Sequence, residues 1–156
     1  MSPIPEFVVE LRGLVGDIEL WMPAITAVVR RDDEVLLVQR SDNGRWTPIT
    51  GILDPGEEPA AAAVREALEE TCVEIRVDRL ASISSNHRVT HVNGDRAVYL
   101  DLTFACTWLS GEARVGDDES VAVRWCPVSE LPEMPAYLRQ RFDDVLAGEE
   151  RTRFRL

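Results

Sequence analysis

Long apolar runs, basic residues and cysteines are the things this chain has little of. No hydrophobic stretch reaches the roughly 20 consecutive residues that a spanning helix needs, so no membrane partner is expected. The opening MSPIPEFVVE has neither a basic start nor a long apolar core, and no secretory leader is expected from it. Seventeen basic side chains face 28 acidic ones, for a formal net charge of −11. That balance argues against broad nucleic-acid binding and against an anionic membrane surface. It leaves anionic small molecules open, because a bound metal can invert the local field. The three cysteines, Cys72, Cys106 and Cys126, are odd in number and widely spaced. They form neither a disulfide framework nor a zinc knuckle, and the expected state is free, buried thiols in the cytoplasm. Internal repeats, low-complexity tracts and linkers are lacking too.

What is there suits one domain over residues 1–156, with 45% hydrophobic residues to build a core. The segment 6–21, EFVVELRGLVGDIELW, alternates loosely and predicts one or two short strands broken at Gly16-Asp17. AITAVVRR (24–31) and EVLLVQR (34–40), separated by Asp32-Asp33, predict a hairpin. A loop at 41–46 leads to an extended piece at 47–53 and a DPGE turn at 54–57. Pro59 suits the first turn of a helix running to about Thr71. Strands are expected over 74–89, 96–109 and 121–128, with a hairpin signal at Asn93-Gly94 and an acidic loop at 111–120. A second helix is expected from about Pro135, stopping at Gly148. The fold class is α/β, a mixed and mostly antiparallel sheet with two helices to cover it.

Residues 65–70 read REALEE. At about 100° per residue, Glu66, Glu70 and Glu69 fall at about 0°, 40° and −60°, on one face. Ala60, Ala61, Val64, Ala67, Leu68 and Thr71 read as the opposite, apolar face. Like charges at these spacings cost only about 0.2–0.5 kcal/mol per pair, so repulsion decides nothing. On an arbitrary helix the ordinary reading is a solvated acidic face. The sharper one is a site for a hard divalent cation, which prefers carboxylate oxygens.

The surroundings favour the second. Gly51, Glu57, Arg65, Glu66, Glu69 and Glu70 follow the spacing of the Nudix box, G-x5-E-x7-R-E-U-x-E-E-x-G-U, where U is a bulky aliphatic residue. The chain resembles that family over most of residues 24–131, including the VLLVQR strand, Trp46 and the late VRWCPVSEL. Three positions depart from the pattern. Cys72 stands where the family has a glycine, at a cost of about 1 kcal/mol if the backbone there is left-handed. Ala67 replaces a larger aliphatic, and Ile49-Thr50-Gly51 stands where many relatives have Pro-Gly-Gly.

The resemblance implies a Nudix-type α/β/α sandwich and a metal-dependent pyrophosphohydrolase using Mg²⁺ or Mn²⁺. It implies metal ligands at Glu66, Glu69 and Glu70, with the Gly51 carbonyl as a further oxygen and Glu119 as an extra ligand or the general base. Glu66 is the other candidate base. Arg65 and Glu57 are implied as supports, Arg65 pairing with Glu69 along the helix and with Glu57 from the loop. Arg40, Arg45, Arg88 and Trp46 are candidate substrate contacts, though each is as readily an ordinary surface or core residue. His87 and His91 sit four apart in a strand-to-loop segment, where that spacing makes no metal pair.

The expected substrate is a small nucleotide: a nucleoside diphosphate linked to another group, such as ADP-ribose, a nucleotide sugar or a dinucleotide. Segment 1–22 resembles the N-terminal strands of ADP-ribose-type relatives, which often help build a dimer, so a homodimer is a candidate assembly. A nucleoside triphosphate pyrophosphohydrolase is the first rival. A Nudix domain that senses a nucleotide without cleaving it is the rival of a different class, disfavoured because every box glutamate is kept.

Overall fold

The run AITAVV is apolar on consecutive residues because its strand is covered on both faces. Strand β1 (Leu20–Arg31) sends Ile25, Ala27 and Val29 to one side of the sheet and Thr26 and Val28 to the other, all fully buried. In the computed structural model, which describes residues 4–85 and 87–156, the remaining strands are β2 (Glu34–Arg40), β3 (Trp46–Thr47), β4 (Ile49–Ile52), β5 (Glu74–Ser84), β6 (Arg88–Thr90), β7 (Arg96–Ser110) and β8 (Ser120–Pro127). Helices α1 (Glu6–Val15), α2 (Pro59–Thr71) and α3 (Ala136–Leu146) and a short 3₁₀ turn at Val128–Glu130 complete the described elements.

All eight strands join one sheet, whose main path runs β3-β2-β1-β7-β5. The β1–β7 pairing is parallel, from Leu20 opposite Ala97 to Arg30 opposite Thr107, and the other pairings are antiparallel. The expected hairpin of β1 and β2 exists only at its tip, where Arg30 and Arg31 face Val35 and Glu34. Beyond it the two strands part. β4 takes the place beside β1, and β8 runs along β2. Arg40 and Gly51 lie on the strands beyond this split.

One core layer packs Ala63 and Ala67 of α2 on Ile25, Leu36, Val38, Ile49 and Phe104. The other packs Phe142 and Val145 of α3 on Val28, Val35, Leu37 and Ala81. The architecture is the expected α/β/α sandwich with a mixed, mostly antiparallel sheet. Beneath α3 lies a buried polar knot. Asp101 on β7 accepts hydrogen bonds from Thr26 Oγ1 and Thr103 Oγ1, both at 2.7 Å, and pairs with Arg141 Nη1 at 3.2 Å. The chain end returns to β5, where Arg153 bridges to Ser82, and Arg153 and Arg155 neutralise the buried Asp144 at 3.4 and 2.5 Å.

Two expectations are corrected here. Residues 6–15 form α1, a third helix, rather than strands. Phe7, Leu11 and Val15 recur at helical spacing as well as fitting loose alternation, and so short an apolar segment is ambiguous by period. The deciding signals are at its ends: Pro5 directly before it, and Gly16, whose φ of +66° stops it. Val8 and Phe7 pack on Met22 and Ala97, and Arg12 donates to the carbonyls of Ile18 at 2.6 Å and Arg96 at 2.8 Å. The strands read as dimer-forming and ADP-ribose-like are therefore absent from this segment, and so is the support they lent to both ideas.

The second correction concerns α2. Ala60, Ala61, Val64 and Leu68, read as its core face, are exposed, Leu68 by 50%. The buried arc holds Ala62, Ala63, Glu66, Ala67, Glu70 and Thr71. The helix is turned so that two glutamates point into the protein and Glu69 sits on the rim.

Candidate active site

The inward turn of α2 depends on Gly51. A Cβ there would stand 2.2 Å from Glu66 Oε1, so only glycine in β4 lets that carboxylate lie against the strand. Arg65 gathers the rest. Its guanidinium grips Glu57 with two hydrogen bonds of 2.8 and 2.9 Å, and its Nη1 donates to Glu66 Oε1 at 2.9 Å and Glu69 Oε2 at 3.0 Å. The Glu57 loop is thereby held on the helix, and Glu57 stays below the usual carboxylate range because of that bond.

Glu70 has no comparable partner. It is 3% exposed, and its Oε1 is buried without a hydrogen bond. Burial pushes its carboxyl well up, and the nearby charges of Glu119, Glu66 and Asp117 push it further. Glu66 is pushed up to about 7, by burial first and by Glu119 and Glu69 against the pull of Arg65. Arg40 acts on the same group from the end of β2; it grips Asp42 at 2.7 and 2.9 Å and feels Glu70 and Glu119.

The structure brings Gly51, Glu57, Arg65, Glu66, Glu69, Glu70, Glu119 and Arg40 to one region. It does not bring Arg88 there, which is exposed on β6 beside Glu19 at 3.5 Å. Trp46 packs toward the α3 layer under Arg124, 4.4 Å from the ring centre, and the Arg45 backbone serves the β2–β3 turn. His91 bonds Tyr99 OH at 2.8 Å, and His87 stacks on Tyr137 with ring centres 3.5 Å apart. Asp117, an acid the same loop offers beside Glu119, acts on Glu70 as well and accepts from the Glu119 N–H at 2.9 Å.

The donor set suits a hard divalent cation. Among the described residues no three Asp, Glu, His or Cys side chains already form a ready-made cage. Arg65 holds one oxygen each of Glu66 and Glu69. Yet an unpartnered, desolvated Glu70 oxygen amid repelling carboxylates is the environment a cation relieves.

The same group makes a stability prediction. A carboxyl raised from 4.5 to about 7 in the folded state favours folding while protonated. Its contribution is present below the unfolded value and is lost as pH rises through the folded one. In EDTA, the melting temperature of wild type relative to Glu66→Gln is expected to fall between about pH 5 and pH 8. Added Mn²⁺ is expected to reverse that fall in wild type. Parallel profiles for the two proteins would contradict the buried cluster.

Comparison with known proteins gives the family. The family model for the NUDIX domain matches residues 20–147. A MutT-like protein of Streptomyces ambofaciens is 34% identical over 122 residues, which cover 78% of this chain and 73% of that one. The NAD-capped RNA hydrolase NudC of Photorhabdus laumondii is 31% identical over 117 residues, covering 74% of this chain and 42% of NudC, so the chain spans less than half of that relative. An ADP-ribose pyrophosphatase structure from Streptococcus suis shares the fold, with a TM-score of 0.64 at 22% identity, covering 85% of this chain and 96% of that one. This chain belongs to the Nudix family and is a pyrophosphohydrolase of it.

Proposed function

We propose that the chain cleaves, with a divalent metal, the diphosphate of a nucleoside diphosphate linked to another group. The observation that carries the metal dependence is the buried Glu70 oxygen left without a partner beside Glu66 and Glu119. Glu66, Glu69, Glu70, Glu119 and the Gly51 carbonyl are the residues that would hold Mg²⁺ or Mn²⁺. Such an ion neutralises phosphate charge and acidifies a water. Arg65 holds Glu57, Glu66 and Glu69 in register, and Arg40 offers a cation to the phosphates next to the carboxylates. A water oxygen bonds to phosphorus, the bridging P–O bond breaks, and a carboxylate of Glu119 or Glu66 takes the proton.

The linked-nucleotide class is supported by the NudC relative, whose named substrate carries a diphosphate between two nucleosides. A net charge of −11 weighs against contacts along an RNA strand beyond such a cap. The free thiols, with Cys106 and Cys126 buried, accord with a reducing compartment. Among the described residues no helix is long and apolar enough to cross a membrane.

The test is incubation with Mg²⁺ or Mn²⁺ and a panel of ADP-ribose, nucleotide sugars, dinucleotides and nucleoside triphosphates, with chromatography of the products. Cleavage of a linked diphosphate into two monophosphate products is expected. Release of pyrophosphate from triphosphates alone would replace this reading with the triphosphate one. Binding without cleavage would indicate a sensor.

A further inference from the structure

The loop 111–119, between β7 and β8, lies backbone against backbone on the C-terminal end of α2. That end needs partners, since the last carbonyls of a helix have none within it. The Gly116 N–H donates to the Glu70 carbonyl at 3.0 Å, and the Arg114 N–H donates to the Thr71 carbonyl at 3.1 Å. Contact is so close that side chains are excluded. A Cβ on Gly116 would stand 2.0 Å from the Glu69 carbonyl oxygen, and one on Gly111 2.5 Å from that of Cys72. Both obstacles are main-chain atoms of the helix end and cannot swing aside. Cys72 forms the other half of the joint. It takes the left-handed conformation, φ 58° and ψ 23°, and its Sγ lies 3.2 Å from the same Cβ position on Gly116.

The joint holds the start of the loop, and a second bond holds its end, where the Ser41 N–H donates to the Glu119 carbonyl at 2.8 Å. Between these anchors stand Asp117 and Glu119, whose charges bear on Glu70. Gly116 thus bonds the main chain of the very residue whose side chain the loop's acids face. The geometry points to Gly116 as a positioning residue: its docking on the end of α2 delivers Glu119 to the helix glutamates, so that loop and helix form one metal site. This rests on the reading of Glu70 and Glu119 as metal ligands.

Mn²⁺ affinity, measured by the electron paramagnetic resonance of the free ion, tests it in wild type, Gly116→Ala, Glu119→Gln, the double variant and Glu70→Gln. Gly116→Ala and Glu119→Gln are each expected to weaken binding about tenfold or more. The double variant is expected to match the singles, because both remove the same contribution. Wild-type affinity in Gly116→Ala, or losses that add in full, would overturn the inference. Wild-type affinity in Glu119→Gln would overturn it too, since the loop would then deliver nothing. Unchanged binding in Glu70→Gln is a different failure, that of the metal-site reading itself.

Should Gly116→Ala fail to fold, the half-buried Cys72 thiol reports on the joint in wild type, Cys106 and Cys126 being buried. Its reaction with Ellman's reagent is expected to slow several-fold on adding Mn²⁺ in wild type and to stay unchanged in Glu119→Gln. Equal protection in both proteins would overturn the coupling.

Discussion

Glu70→Gln is expected to lower turnover at least about 100-fold while leaving the fold intact. The amide keeps the volume and removes the charge from a side chain that is 3% exposed. It also removes one member of a repelling set, since Glu119, Glu66 and Asp117 all bear on Glu70. The metal-free variant should therefore melt at or above the wild-type temperature. An inactive protein of undiminished stability separates loss of a ligand from loss of structure. Steady-state kinetics with Mg²⁺ on the preferred substrate, beside a thermal melt in EDTA, makes the measurement. Wild-type-like turnover would sink the metal-site assignment.

The second large effect belongs to the polar knot under α3. Arg141→Ala is expected to destabilise the protein by about 3–5 kcal/mol near pH 8, because it strands a buried carboxylate. Asp101 is 1% exposed, and burial already raises its carboxyl above the usual range while Arg141 pulls it back. Without the guanidinium only the hydroxyls of Thr26 and Thr103 remain. The carboxyl then rises further and protonates more readily. A raised folded-state value means stability is kept below the unfolded value and lost as pH increases through the folded one. The destabilisation should accordingly be smaller near pH 5. Urea unfolding at the two pH values checks this, and equal losses at both would show that Arg141 acts through packing alone.

How much of this could be read beforehand differs by region. The box residues were legible because their spacing is fixed by chemistry, and the strands because runs rich in β-branched residues lie between turn signals, although the one strand expected over 74–89 is two, β5 ending at Ser84 and β6 starting at Arg88. The direction in which α2 faces was not. Hydrophobicity alone turns Val64 and Leu68 inward, whereas the structure exposes both and buries Glu66 and Glu70. The close seat that Gly51 gives Glu66 allows that orientation, and it accords with the proposed cation. Helix α1 was missed because Pro5 was not weighed and Gly16 was read as a break between strands rather than as the stop of a helix. Asp101 stood in plain view as a lone acid in the strand RAVYLDLTFAC, but its partner Arg141 lies in a distant helix. Cys72 was legible as a departure, and the backbone there is left-handed as the family's glycine would be; the loop seated against it was not.

The parallel pairing of β1 and β7 also sets a timetable for synthesis. Leu20 cannot find Ala97, nor Arg30 find Thr107, until most of the chain has left the ribosome. At about 5–20 residues per second, the wait between the two strands is roughly 4–15 s. Through that interval the AITAVV strand has one whole edge unpaired. Its partner β4 arrives sooner, bringing Gly51 opposite Ile25. The glycine strand of the box is therefore available to pair with β1 well before β7 is.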